Sequence, residues 1–451
     1  MSEHRDTIAA IATAPGRGGV GIVRVSGPQA RSMGEQLTRL SECRPRYAHY
    51  GPFYDSEGQV LDRGISLYFP GPHSYTGEDV FEFQGHGGPV VLNLLLKSVF
   101  KLGARPAQPG EFTERAFLND KMDLAQAEAV ADLIESTTEQ AALAATRSLS
   151  GAFSSRIQTL LDSLIYIRLY IEAALDFPEE EIDFLGDSEL AQRMQQLRLD
   201  VASVKQSVRQ GKLLREGMSV VLLGQPNAGK SSLLNALAGD DTAIVTDVAG
   251  TTRDVLQQAI HLDGLPLNII DTAGLRDTQD VVEAEGVRRA WAAVEQADRV
   301  LLLIDAERGF DHGDQAIVDA LDRHSTNFDY LWNKIDRLGQ APKIEKKSGQ
   351  WHLSISASLG EGIDLLSKHL KEAMGYKQET EGLFIARQRH IESLEAASKA
   401  IECAADQLSV GAGELAAEEL RQAQESMSQI TGEFSSDDLL GEIFSRFCIG
   451  K

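Results

Sequence analysis

The octet Gly224-Gln-Pro-Asn-Ala-Gly-Lys-Ser231 spaces two glycines, a lysine and a hydroxyl as a phosphate cradle requires. It follows the apolar run SVVLLG and precedes the helix-like SLLNALAG, so backbone N–H groups close around phosphate at a helix N-terminus. Asn227, Ala228, Gly229, Lys230, Ser231 and Ser232 are the candidate phosphate contacts, with Lys230 on the β- and γ-oxygens and the Ser231 hydroxyl on Mg²⁺. Asp271-Thr272-Ala273-Gly274 stands at the end of a second apolar run. Its aspartate can hold a magnesium-bound water and its glycine N–H can sense a γ-phosphate. Asn333-Lys334-Ile-Asp336 ends another run, and a carboxylate at Asp336 can accept from N1–H and the 2-amino group of guanine, a donor pair that adenine lacks. Ser356-Ala357-Ser358 completes the base pocket. Four motifs in this order, each at a strand's carboxyl end, point to guanine nucleotide binding.

The elements that must position these groups follow from periodicity. Runs SVVLLG, LNIIDTAG, RVLLLIDA and FDYLWNKID alternate with helical stretches, the grammar of a mainly parallel sheet with crossover helices. On either side the period is helical: Leu124, Ala127, Ala131 and Ile134 recur on one face, and Phe153, Ile157, Leu160, Leu164, Ile167, Ile171 and Ala174 form a longer seam. A third stripe, Ile391, Leu394, Ile401 and Leu408, follows the α/β block. The helical segments therefore predict one domain into which the block is inserted. The first hundred residues, with VGIVRVSG, ISLYFPG, VFEFQGHGG and the helix-like VVLNLLLKSVFKLG, read as α+β. The predicted division is 1–119, 120–215, 216–376 and 377–451, a multidomain α/β plus α protein.

Composition bounds the partners. At 451 residues the chain exceeds a single domain, and 44 basic against 67 acidic residues give a net charge of −23. Such a surface repels nucleic acid and anionic membrane over most of its area, so RNA contact must be local or shared with a partner. Three cysteines without a C-x-x-C pair leave no disulfide framework or cysteine-built zinc site, and no export or membrane-spanning segment is read, so a reducing cytoplasm is expected. Cys448, the fourth residue from the C-terminus in a tail that fits prenylation poorly, is expected to be a small buried hydrophobe rather than a thiol catalyst.

The motif order resembles that of translation-factor-class GTPases, and Gly250-Thr-Thr-Arg-Asp254 looks like their second box, which adds Thr252 to Ser231 on Mg²⁺. Ras-like GTPases place a water-orienting glutamine directly after the aspartate box. Here that residue is Leu275, so another group must organise hydrolysis. Across its whole length the chain is similar to the MnmE (TrmE) family of tRNA-modification GTPases. The likeness rests on PGRGGVGIVRVSG, FPGPHSYTGEDVFEFQGHGGP, PGEFTERAFLNDKMDLAQAEAVADLI, the inserted GTPase block, Gln429-Ile-Thr-Gly-Glu-Phe434 and the terminal FCIGK.

That resemblance implies a Ras-like GTPase domain and an N-terminal tetrahydrofolate-binding-like, dimerising domain. It further implies a homodimer working with the flavoprotein MnmG to add a carboxymethylaminomethyl or aminomethyl-type group at C5 of the wobble uridine of certain tRNAs. It assigns K⁺ to Asn227, Thr246, Val248 and Thr251, with Thr246, Thr251 and Thr252 also touching GTP, and a catalytic glutamate to Glu283. It assigns 5-formyl-tetrahydrofolate or a relative to Arg24, Glu82, Lys121 and Lys451. Read from the residues alone, Arg24 could equally form a structural salt bridge, and Glu82, between Phe81 and Phe83, could face inward or outward. The rival reading, a ribosome-assembly GTPase, would carry a basic RNA-binding appendage that this acidic chain lacks.

Overall fold

The computed structural model describes residues 6–176, 188–238, 256–262, 265–271, 291–324, 326–376, 383–433 and 437–450. Two compact units emerge. One comprises residues up to 131, 148–201 and those from 393 on; the other comprises 132–147 and 202–392.

The first unit contains a six-stranded sheet of β1 (Ile8–Ile11), β2 (Gly18–Ser26), β3 (His49–Tyr54), β4 (Val60–Phe69), β5 (Val80–Gly87) and β6 (Arg105–Pro106), in the order β3-β4-β5-β2-β1-β6. All neighbours run antiparallel except β1 and β6. Alternation decides the faces: Val23, Val25, Phe81 and Phe83 point into a core closed by Met33 and Leu37 of α1 (Ala30–Thr38) and by Leu92, Leu95 and Val99 of α2 (Pro89–Lys101). Helix α1 lies so close that a Cβ on Gly34 would stand 2.2 Å from the Phe81 ring. The other face of β2 and β5 is left for Arg24 and Glu82, which are directly opposite in the register.

Helices from before and after the nucleotide block pack together, as the insertion reading requires. In α6 (Ala152–Asp176) the predicted seam from Phe153 to Ile171 is buried, and it meets Ala416, Leu420, Ala423, Met427 and Ile430 of the helix Gly413–Thr431. Several stripe positions depart from expectation, among them Ile391 and Leu408, which are only half-buried. Ile134 is 50% exposed although Leu124, Ala127 and Ala131 are buried, because the cluster formed with Leu440, Ile443, Phe444 and Phe447 covers only the start of α4 (Leu124–Glu135). Ala174 is only half-buried near the end of α6.

The C-terminal tail runs along the first sheet. Ile449 bridges Pro109, and a Cβ on Gly450 would meet the Ile11 carbonyl at 2.3 Å. Cys448 corrects the expectation of a buried hydrophobe: its thiol is exposed, and the neighbours Phe447 and Gly450 are the buried members of the tail.

The second unit is built on a seven-stranded sheet in the order β12-β13-β11-β10-β7-β9-β8. Strands β7 (Met218–Gly224), β9 (Leu265–Asp271), β10 (Arg299–Asp305) and β11 (Phe328–Asn333) coincide with the four apolar runs and are parallel. β13 (Gln350–Ser354) continues this pattern, while β8 (Leu256–Leu262) and β12 (Lys343–Lys347) are antiparallel edges. Among the described residues no helix is long and apolar enough to cross a membrane.

Candidate functional site

The carboxyl ends of β7, β10, β11 and β13 bring the nucleotide motifs to one edge of the sheet. Between β7 and α8 (Lys230–Ala238) the loop turns on three positive φ values, 151° at Gly224, 64° at Asn227 and 101° at Gly229. Gly224 must be glycine because a Cβ would lie 2.4 Å from the Leu303 carbonyl oxygen. Lys230 Nζ donates to the Gly224 carbonyl at 2.8 Å, which folds the ammonium over the loop it serves. Asn227, Ser231 and Ser232 are exposed, so their polar groups are open to a nucleotide and its ions.

Asn333 joins the phosphate and base ends. Its side chain, 1% exposed, donates from Nδ2 to the Ala228 carbonyl at 2.9 Å and accepts the Ala357 N–H on Oδ1 at 3.0 Å. The amide also occupies the slot that a Cβ on Gly229 would need, at 2.2 Å. Ser356 Oγ donates to Asp336 Oδ1 at 2.6 Å and lies 3.2 Å from Ser358 Oγ, so one carboxylate oxygen of Asp336 is anchored. Lys334, at φ 67°, places Nζ 2.6 Å from Asp305 Oδ2. Burial opposes ionisation of Asp305, but the Lys334 bond and charge outweigh it and hold the carboxyl below its ordinary value.

Asp271 ends β9 beside β7, where its motif should begin; only its backbone is described. Thr246, Val248, Thr251, Thr252, Thr272, Ala273, Gly274, Glu283 and Lys451 lie outside the described residues.

In the first unit Arg24 Nε donates to Glu82 Oε1 at 2.9 Å, and Gln84 Nε2 holds the other Glu82 oxygen at 3.1 Å. The salt bridge read from the residues alone is therefore real, and Glu82 faces away from the core that takes Phe81 and Phe83. The Arg24 guanidinium also lies over the rings of Tyr75 (5.4 Å) and Phe112 (5.7 Å). Tyr75 Oη is 2.8 Å from Thr113 Oγ1, and burial pushes its phenol above the usual range against the opposing Thr113 bond and Arg24 charge.

The loop carrying Tyr75 is tied down by Arg115, 1% exposed, whose Nη atoms reach Glu78, Glu111 and Asp6. Exposed Lys121 runs its stem past the same loop, 3.4 Å from where a Gly77 Cβ would stand.

Two family models match this chain: the GTP-binding protein TrmE N-terminus over residues 7–121 and the MnmE helical domain over residues 124–448. The chain belongs to the MnmE family. The tRNA modification GTPase MnmE of Hydrogenovibrio crunogenus is 57% identical over 448 residues, covering 99% of both chains. The tRNA modification GTPase MnmE of Ectopseudomonas mendocina is 56% identical over 456 residues, covering all of both. The solved G domain of the T. maritima FeoB iron transporter is 25% identical, covering 35% of this chain and 98% of that one at a TM-score of 0.28.

Against the MnmE family background, several contacts stand outside the motif reading. Gln84 shares a face with Glu82 through the period-two rule, a signal present in the sequence. Tyr75, Phe112 and Thr113 sit inside family motifs without any local mark of their roles. Gln225 and Arg308 meet across 83 positions, a contact that no spacing reveals.

Proposed function

We propose that the chain hydrolyses GTP in a K⁺-dependent reaction and, with an MnmG-type flavoprotein, drives addition of an aminomethyl-type group at C5 of the wobble uridine of certain tRNAs. The observation that carries the nucleotide half is Asn333, which binds the Ala228 carbonyl and the Ala357 N–H together and so sets the distance between phosphate and base ends. The family membership supports the tRNA half. In this reading the protein is a cytoplasmic homodimer with domains 1–119, 120–215, 216–376 and 377–451.

The residues suit the groups assigned to them. Ser231 offers an exposed hydroxyl beside Lys230 for Mg²⁺, with Thr252 as its counterpart. Asn227, exposed at the left-handed corner of the loop, offers an amide oxygen for K⁺ with Thr246, Val248 and Thr251. A potassium ion held there supplies positive charge against the phosphates, the service an arginine performs in other GTPases. Arg24 spends Nε on Glu82 and retains its terminal fork for a ligand carboxylate, so it suits a tetrahydrofolate together with Glu82, Lys121 and Lys451.

Potassium should stimulate hydrolysis while sodium does not. Asn227→Ala should lose about 100-fold of that stimulation and still bind GTP, since Lys230 and the backbone cradle remain. Equal rates in the two salts would remove the potassium assignment. Arg24→Ala should weaken 5-formyl-tetrahydrofolate binding by about 10- to 100-fold in titration calorimetry, the worth of a hydrogen bond to a charged group. Wild-type affinity in that variant would remove Arg24 from the folate site.

The tRNA half is tested by complementation. Chain restored to a strain lacking its own MnmE should return the modified wobble nucleoside to tRNA hydrolysates, and an unmodified uridine would defeat the reading.

A further inference from the structure

We propose that Gln225, clamped from outside the phosphate motif, is a positioning residue for GTP hydrolysis. Its side chain ties the loop to a distant segment on the flank that Asn333 does not reach. Gln225 Nε2 donates to Asp311 Oδ1 at 2.6 Å, and its Oε1 accepts from Arg308 Nη1 at 3.1 Å. Both partners are themselves held. Arg308 Nη2 reaches both oxygens of Asp314 at 3.0 and 3.2 Å, and Arg308 Nε reaches Asp311 Oδ2 at 3.1 Å.

Asp314 is wholly buried, and with Asp311 it forms the capping box of the helix His312–Arg323. Asp311 Oδ1 thus accepts from Gln225 and from the N–H groups of Gly313 and Asp314. The Gln225 bond is the largest influence holding the Asp311 carboxyl below its ordinary value, with burial opposing.

Gly313 completes the socket. A Cβ there would stand 2.4 Å from Gln225 Nε2, so the amide lies where any other residue would place its side chain. Arg308 is committed to two carboxylates and one amide, which makes it a support for the loop and not a charge delivered to the phosphates. The clamp acts on the backbone between Gly224 and Asn227. The N–H groups that follow Pro226, from Asn227 onward, must already point at the phosphates when charge develops, so loosening the turn that aims them should cost the transition state more than the bound ground state.

The proposal rests on the hydrolytic reading above, and its test separates the two. Full-length wild type, Gln225→Ala and Gly313→Ala are compared for GTP turnover, for equilibrium binding of a fluorescent GDP analogue and for thermal unfolding. Both variants should lower kcat by about 10-fold or more, as sub-ångström misplacement does. Affinity for the analogue should stay within about threefold.

Gly313→Ala is the sharper arm. Alanine favours the helix it joins, and the atoms it displaces are the far end of a flexible side chain, so a purely structural role predicts no loss of turnover. Adding Arg308→Ala to Gln225→Ala should lower kcat little beyond the single change, because one clamp is being removed twice. Gln315→Ala, on the exposed face of the same helix, should behave as wild type. Turnover within about twofold of wild type in both Gln225→Ala and Gly313→Ala would overturn the clamp, as would additive effects in the double variant. A wild-type chain that binds the analogue but hydrolyses nothing would instead overturn the hydrolytic reading, and the clamp's role with it.

Discussion

Asp336→Asn is expected to convert a guanine-selective pocket into one that prefers xanthine nucleotides. In the folded protein Ser356 Oγ donates to Asp336 Oδ1 at 2.6 Å, which fixes one carboxylate oxygen and leaves the other for the proposed contact with the base. Asparagine keeps a carbonyl oxygen for Ser356, so its side chain retains the same orientation and presents an NH₂ where the carboxylate was. Guanine then meets two donors with a donor and loses two charge-assisted bonds, a cost of about 100-fold or more in affinity. Xanthine keeps N1–H but carries a 2-oxo group that accepts from the amide, so its nucleotides should regain at the 2-position the bond that guanine nucleotides lose there. Competition of GDP and XDP against a fluorescent nucleotide measures the switch directly. Unchanged preference would mean that the pocket around Asn333, Asp336 and Ser356 does not hold the base.

What could be read ahead of the structure divides along the range of the interactions involved. The four apolar runs, three of which end in a nucleotide motif, are strands with both faces covered, and such strands announce themselves locally. β12 escaped because its sequence Lys-Ile-Glu-Lys-Lys is that of a charged edge, where lysine guards an open ladder against pairing with another chain. β8 escaped because Leu256-Gln-Gln-Ala-Ile-His-Leu262 alternates only weakly.

Side-chain geometry was less legible than the elements. Arg24 and Glu82 are 58 positions apart, and only the antiparallel register of β2 and β5 sets them face to face. The period-two argument correctly made Glu82 opposite to Phe81 and Phe83, but it had no means of knowing which face was covered. The same limit explains Ile134, whose stripe continues past the end of the cluster that covers it. Cys448 belongs to a tail whose docking on the first sheet buries Phe447 and Gly450 and leaves the two residues between them exposed, and that docking depends on residues more than three hundred positions away.

The Gln225 clamp and the Arg115 network share a further property: both are charged or polar groups held by partners from several segments. A sequence shows such groups as ordinary surface residues, because hydrophilic character is visible in a string and burial is not. Removing one member of the Arg115 cluster would leave uncompensated charge inside the protein, which is why the loop bearing Tyr75 is held firmly against Arg24. The two sites thus depend on the same device, a polar tie from a distant segment that fixes a loop carrying the chemistry.

The second large effect concerns Glu283, which the family resemblance assigns to the role of the glutamine missing at Leu275. Glu283→Ala should slow hydrolysis by about 100- to 10,000-fold while GTP affinity stays nearly unchanged. A carboxylate that orients water acts only as the transition state forms, so its loss should lower the rate and spare ground-state binding, the part proposed for Lys230, Asn333 and Asp336. The same variant should abolish wobble-uridine modification in cells. If bound GTP were sufficient, a hydrolysis-dead chain would still modify tRNA, since its GTP-bound arrangement would persist. If the nucleotide domains must open and close repeatedly, a chain trapped with GTP stalls after one pass. Single-turnover hydrolysis measured beside wobble-nucleoside content separates these cases. Normal modification with dead hydrolysis would sink the coupling, and normal hydrolysis would remove Glu283 from the reaction.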